Sequence, residues 1–318
     1  MKSRACACVS ILLLSLCMWP VAPDAAAGAQ RYEYVQIHMG MPVRMALYAG
    51  GEATARSAAA AGFARIAQLD AMMSDYRAES DVRRLDGTTG WVRVSAELFA
   101  VIACARDLAR ASRGAFDPTV GPLVTLWREA RATRRLPARP SIQAARRLVG
   151  WQSLQLDEAR SAVRFTRPGM RLDLGGIAKG FIAQQALDAL RDAGIPSALI
   201  EAGGDIVVSG APPGRPGWHI DAPGAAAALA SRAARLTNSA LATSGPTVQS
   251  VELEGTRYSH VVDPRTGLGI TNDRLAYVIA RDAMIADALA TTLTIVTADE
   301  RRTLLQHFPG VVISIVEE

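Results

Sequence analysis

Residues Leu172 to Ala183, LDLGGIAKGFIA, bring together the groups best suited to holding phosphate. One carboxylate, Asp173, precedes Gly175-Gly176, and Lys179 follows at the start of a helix-like run to Ala193. Two glycines opening a helix let backbone N–H groups and the helix dipole approach an anion. Lys179 adds a point charge beside them, and it is the one lysine after the N-terminal leader. The spacing is neither G-x-x-x-x-G-K-[ST] nor G-x-G-x-x-G. Taken alone, the same residues also read as a tight turn with a solvated lysine. Asp287 and Thr291 stand four apart in a helix-like run, so their oxygens share one face. Small residues, Ala286, Ala288 and Ala290, leave room around them. A carboxylate and a hydroxyl suit a hard cation such as Mg²⁺, which completes its shell with water and phosphate oxygens; a polar stripe on a helix surface is the plainer alternative.

His260 is the most pointed histidine, with Asp263-Pro264-Arg265 just after it. An imidazole near a carboxylate can serve as a general base. His38, His219 and His307 have no such setting and read as structural. No H-x-x-H or C-x-x-C pair supports zinc. Thr243-Ser244-Gly245 offers hydroxyls without a G-x-S-x-G elbow around them.

The elements that must position these groups follow from period and punctuation. Met170, Leu172 and Leu174 predict a strand entering the glycine pair, and Gly194 with Pro196 ends the helix that leaves it. Tyr32 to Tyr48 alternates as a strand, with Met39-Gly40-Met41-Pro42 suggesting a bulge or a close backbone approach. Ala53 to Met73 is helical by composition, and Ser95 caps a second helix to Ser112. Gly114 to Gly121 is a loop carrying Phe116 and Asp117, leading into Leu123 to Ala132. Ser141 and Gly150 bracket a short helix, and Gln155 and Val163 mark a hairpin. Ala198 to Ser209 reads as strand, Gly203-Gly204-Asp205 turn, strand, while Ala225 to Ala234 has no clear assignment. Asp282 caps a helix to Leu293, Thr297 to Glu300 forms a capping box, and Val311 to Val316 closes the chain as a strand.

The N-terminus has the pattern of a secretory signal peptide over residues 1–29. Lys2 and Arg4 precede an apolar run, and Ala25 to Ala29 offer small residues for cleavage after Ala27 or Ala29. A lipid anchor on Cys17 is disfavoured by Leu16 directly before it. Residues 30–318 then form one functional domain, with Cys104 the sole remaining cysteine and no further segment apolar enough to span a bilayer. The net charge of +5 is mild, and the arginines from Arg128 to Arg147 lack interleaved aromatics, which argues against nucleic acid as a partner.

The whole set, in order, resembles the ApbE family of FAD:protein FMN transferases. The matching pieces are Met39-Gly40; Met73-Ser74 with Tyr76; Gly114 to Pro118; Asp173 to Gly180; Gly203 to Asp205; Ala242 to Gly245; Ser259 to Gly267; and Ala286-Asp287-Ala288 with Thr291. The resemblance implies an α+β, T-fold-like architecture of two intimately packed mixed lobes with FAD in the cleft between them. It implies Mg²⁺-dependent transfer of FMN from FAD onto a threonine or serine hydroxyl of a partner flavoprotein of a membrane redox complex, with release of AMP. It also implies an exported enzyme in the bacterial periplasm or at the outer face of the inner membrane. Met39, Tyr76, Ala115, Phe116, Asp117, Asp173, Lys179 and Val262 would contact FAD. Asp287, Thr291 and the backbone oxygen of Gly176 would hold the metal. His260 and Asp287 would carry the catalysis. Met41, Glu201-Ala202 and Pro246 depart from the family pattern. The alternatives are a Mg²⁺-dependent FAD pyrophosphatase and a periplasmic FAD-binding protein without chemistry.

Overall fold

Seven antiparallel strands form the spine of the protein, and their registers bring the Met39-Gly40 and Gly203-Gly204 turns to the same end of the sheet. The computed structural model describes residues 28–245 and 250–317. Residues 1–27 of the proposed leader, Cys17 among them, and Pro246 lie outside those residues.

The chain opens with β1 (Gln30–His38) and β2 (Met41–Ala49), paired from Gln30↔Ala49 to His38↔Met41. The Met39-Gly40 interruption is therefore a two-residue hairpin turn and not a bulge within one strand. Both turn residues take positive φ, 52° and 73°, as a turn matched to strand twist requires. The helix α1 (Glu52–Met73) follows and buries Phe63, Ile66, Leu69 and Met73 on one face. Next come β3 (Val92–Arg93), α2 (Ala96–Ala111), α3 (Gly121–Thr133) and α4 (Arg139–Arg146). Ser95 caps α2 by accepting from the Leu98 N–H. The strands β4 (Leu154–Asp157) and β5 (Ala162–Phe165) pair as the expected hairpin and join β3 in a small sheet.

The central part contains α5 (Ala178–Asp192), β6 (Ala198–Ala202) and β7 (Asp205–Val208). Residues 170–174 do not form the predicted strand. They run extended beside the 117–121 loop, tied by one bridge, Val120↔Arg171, and by the Asp173 N–H to the Pro118 carbonyl. Their apolar alternation is satisfied by burial against the core and needs no ladder. The unassigned alanine-rich stretch contains α6 (Ala227–Ala233).

The remainder comprises β8 (Ser239–Ser244), the hairpin β9 (Ser250–Leu253) with β10 (Thr256–Ser259), and the short pair β11 (Val262–Asp263) with β12 (Leu268–Gly269). Then follow β13 (Arg274–Ala280), α7 (Ala283–Leu293), α8 (Ala298–Leu305) and β14 (Val312–Glu317). The main sheet has the order β1-β2-β6-β7-β8-β13-β14, every pair antiparallel.

Alternation splits the apolar residues between two faces of this sheet. Val43, Met45 and Leu47 join α1, α5 and α7 in the main core, while Ala46, Tyr277 and Ile279 pack with Leu229 and Ala233 of α6 on the other side. A third cluster, around Leu123, Trp127, Val251 and Val262, holds α3 to the late hairpins. The fold is α+β, as expected, and among the described residues the main sheet does not close into a barrel.

Candidate active site

The first turn of α5 lies against α7, and small residues make that contact possible. A Cβ on Gly180 would overlap the Ala283 carbonyl oxygen and sit 3.0 Å from the Asp287 Cβ. The N-cap position of α5 is Ile177, which has no side-chain oxygen to cap the helix. Asp287 supplies one from α7: the Gly180 N–H donates to its Oδ2 at 3.0 Å. A carboxylate at a helix N-terminus is stabilised by the orphan N–H groups and the helix dipole.

Lys179 lies beside this contact. Its Nζ donates to Asp287 Oδ1 at 2.8 Å and to Asp205 Oδ2 at 2.6 Å. Asp205 is delivered by the tight Gly203-Gly204 turn, both glycines at positive φ (58° and 92°), and its Oδ1 accepts from the Thr243 N–H at 3.4 Å. Both carboxylates are almost fully buried, at 3% and 2% exposure. Burial, then the Asp287 charge, raises the Asp205 carboxyl to about 7, against the pull of Lys179. Burial opposes the Lys179 charge, but the two carboxylates outweigh it and hold the ammonium above its ordinary range. Above pH 7, where Asp205 is ionised, two carboxylates share one ammonium and leave the locality one negative charge in excess, a setting that favours a further cation.

The remaining proposed metal ligands converge on the same place. A Cβ on Gly176 would lie 3.3 Å from Thr291 Oγ1 and 3.3 Å from Phe116 Cε2. Thr291 thus faces the glycine pair one turn along α7 from Asp287. Among the described residues, no group of three or more His, Cys, Asp or Glu could hold a metal by itself. One carboxylate, one hydroxyl and one carbonyl oxygen nonetheless fit a hard cation that keeps water and phosphate in its shell.

A second network borders the first. Asp173 Oδ1 accepts from the Gly175 N–H at 2.8 Å and its Oδ2 from Arg128 at 3.3 Å. Arg128 also pairs with Asp75 and lies over the Tyr76 ring, 3.9 Å from its centroid. Tyr76 is 77% exposed, so its other face is open. Burial and the Asp75 charge raise the Asp173 carboxyl to about 6, although Arg128 opposes them. Sequence reasoning missed Arg128 and Asp75. The Asp75-Tyr76 neighbours beside Met73-Ser74 were the available signal, but the arginine comes from a distant helix.

The other predicted residues are placed as follows. Ala115 is fully buried in the loop before α3. Asp117 organises that loop: its Oδ1 accepts from the Thr119 N–H and hydroxyl at 2.8 and 2.6 Å, and its Oδ2 from the Trp151 N–H at 2.9 Å. Burial raises its carboxyl despite those bonds. Met39 packs against the main core from the β1–β2 turn, and neighbouring Met41 meets Gly203, where a Cβ would lie 2.5 Å from its Sδ. Val262 is buried in the third cluster. His260 is half-buried between β10 and β11. Both oxygens of Asp263 engage Arg265, at 3.0 and 3.1 Å, so this carboxylate is tied to its own loop.

The sequence and the fold both match known proteins. The pattern of the ApbE family matches residues 39–315, nearly all of the described chain. This chain belongs to the ApbE family. A FAD:protein FMN transferase of Klebsiella pneumoniae (strain 342) is 33% identical over 267 residues, covering 82% of this chain and 81% of that protein. One from Vibrio cholerae is 32% identical over 241 residues, 74% of this chain and 71% of that protein. The apo structure of Pseudomonas stutzeri flavinyl transferase ApbE superposes with a TM-score of 0.77 at 27% identity, covering 91% of this chain and 92% of that one. The flavin transferase ApbE from Vibrio cholerae gives 0.79 at 26% identity, covering 91% and 94%. Across this ApbE-family chain, no helix among the described residues is long and apolar enough to cross a membrane.

Proposed function

We propose that the protein is a FAD:protein FMN transferase, moving FMN from FAD to a threonine or serine hydroxyl of an acceptor flavoprotein and releasing AMP. The observation that carries this reading is the Lys179–Asp205–Asp287 cluster, set one turn of α7 from Thr291, whose hydroxyl faces Gly176. It is a buried cluster of two carboxylates and one ammonium at a helix N-terminus, and a diphosphate with its counter-cation suits it.

Asp287, Thr291 and the Gly176 carbonyl oxygen would hold Mg²⁺, whose chemistry when bound is to neutralise the diphosphate. Gly175 and Gly176 let backbone approach phosphate without a Cβ between. The two carboxylates occupy two of the three Lys179 N–H donors, leaving the third for a phosphate oxygen. Phe116 and the open face of Tyr76 offer flat surfaces for the flavin. Met39, Ala115, Asp117, Asp173 and Val262 would complete the FAD site. His260 takes the acceptor hydroxyl proton as the oxygen forms its bond to the FMN phosphorus. The bond from that phosphorus to the AMP oxygen breaks, and AMP leaves with the electron pair. Export across the inner membrane belongs to the same reading and rests on residues 1–29.

The test is incubation with FAD, Mg²⁺ and a candidate acceptor, followed by mass spectrometry of the intact acceptor. Covalent FMN with an equal amount of AMP supports transfer. Free FMN with AMP would make the protein a pyrophosphatase, and bound FAD without AMP would make it a flavin carrier.

A further inference from the structure

A groove of about 400 Å³ opens between α2 and the small sheet. Trp91 and Trp151 line it with Arg106, Arg110, Leu154 and Gln155. Trp91 is 41% exposed, among the largest apolar side chains left in solvent. Each indole carries a guanidinium. Arg164 lies 4.5 Å from the Trp91 ring centroid and Arg110 5.8 Å from that of Trp151. Arg164 is fixed there by its Nε donating to Gln155 at 2.8 Å. Arg106 and Arg110 share one carboxylate, Asp107, each at 3.5 Å. In these contacts, three guanidiniums meet one carboxylate, over a floor made by buried Leu154.

Tryptophan and arginine are the side chains that most often carry binding energy at protein interfaces, and the surplus positive charge selects an acidic partner. We propose that this groove docks a segment of the acceptor protein in which Asp or Glu residues flank an apolar side chain. The inference rests on the reading of the chain as an enzyme acting on a protein. The groove adjoins the loop of Asp117, whose Oδ2 accepts from the backbone N–H of Trp151 at 2.9 Å.

The test uses a fluorescein-labelled synthetic peptide of repeated Glu-Glu-Leu, with a Lys-Lys-Leu peptide as control, read by fluorescence polarisation on the full chain. The acidic peptide should bind and the basic one should not. Arg110→Glu and Trp91→Ser, both surface changes, should each weaken binding about tenfold or more, and added salt should weaken it further. Equal binding of both peptides, or unchanged affinity in both variants, would overturn the proposal. So would displacement of the peptide by inorganic phosphate alone, which would mark a simple anion site. A concentration-dependent dimer broken by Arg110→Glu would assign the groove to a second copy and overturn it as well. The same preparations are assayed for AMP release from FAD. Failure of the wild-type protein there strikes the transferase reading and leaves the groove to be judged on the peptide data.

Discussion

The Gly180 N–H donates to Asp287 Oδ2 at 3.0 Å, so a side chain of α7 caps the first turn of α5. The same carboxylate is the proposed metal ligand. Helix capping and the active site therefore depend on one close approach between two helices.

Gly180→Ala tests that approach. The added Cβ would overlap the Ala283 carbonyl oxygen, and a carbonyl held within a helix cannot swing aside. We expect a loss of about 1–3 kcal/mol, typical of an overpacked core, seen as a lower urea midpoint at unchanged slope, together with lost FMN transfer. Full stability in this variant would mean that the two helices sit farther apart.

Lys179→Met leaves two buried carboxylates without their shared cation. Removing one partner from a buried ion pair costs on the order of 3 kcal/mol. Urea unfolding should show this loss near pH 8 and a smaller one near pH 5, because Asp205, already pushed to about 7, takes up a proton as the pH falls. A loss that does not vary with pH would contradict the assigned charges.

Asp173 gives a second pH dependence with a definite sign. Its folded-state value, about 6, lies above the ordinary carboxyl value of 3.8, so the native state binds the proton more tightly than the unfolded chain does. Its contribution to stability is therefore greatest in acid and declines as pH rises from about 4 to about 6, then levels off. The difference in unfolding free energy between the wild-type protein and Asp173→Asn isolates this contribution. A difference that grows with pH over that window would reverse the assignment.

His260→Ala should reduce FMN transfer to protein by about 10²–10⁴-fold, the usual range for a general base, while FAD binding followed by flavin fluorescence persists. Unchanged transfer would move the base role to a carboxylate.

Much of this arrangement was legible in the sequence because short-range chemistry fixes it. The Ser95 cap, the Thr297–Glu300 capping box and the Gly203-Gly204 turn all appear where local residues demand them. Asp287 and Thr291 are on one helix, so their common face followed from spacing alone. Long-range pairing was not legible. Period 2 over residues 170–174 signals burial as well as a strand, and here burial sufficed. Lys179 reads as a phosphate-facing charge until the fold brings Asp205 and Asp287 to it, from 26 and 108 residues away along the chain. Arg128 reaches Asp75, Tyr76 and Asp173 by the same kind of long-range folding. The two-residue turn at Met39-Gly40 was missed because positive φ at a methionine has no simple compositional signal.

The most direct test of the central claim is AMP release from FAD with Mg²⁺ and acceptor present, comparing wild-type protein with an Asp287→Ala variant shown by circular dichroism to be folded. The account predicts a loss of about 10²-fold or more, with FAD still bound. AMP released at the wild-type rate by the variant would contradict it.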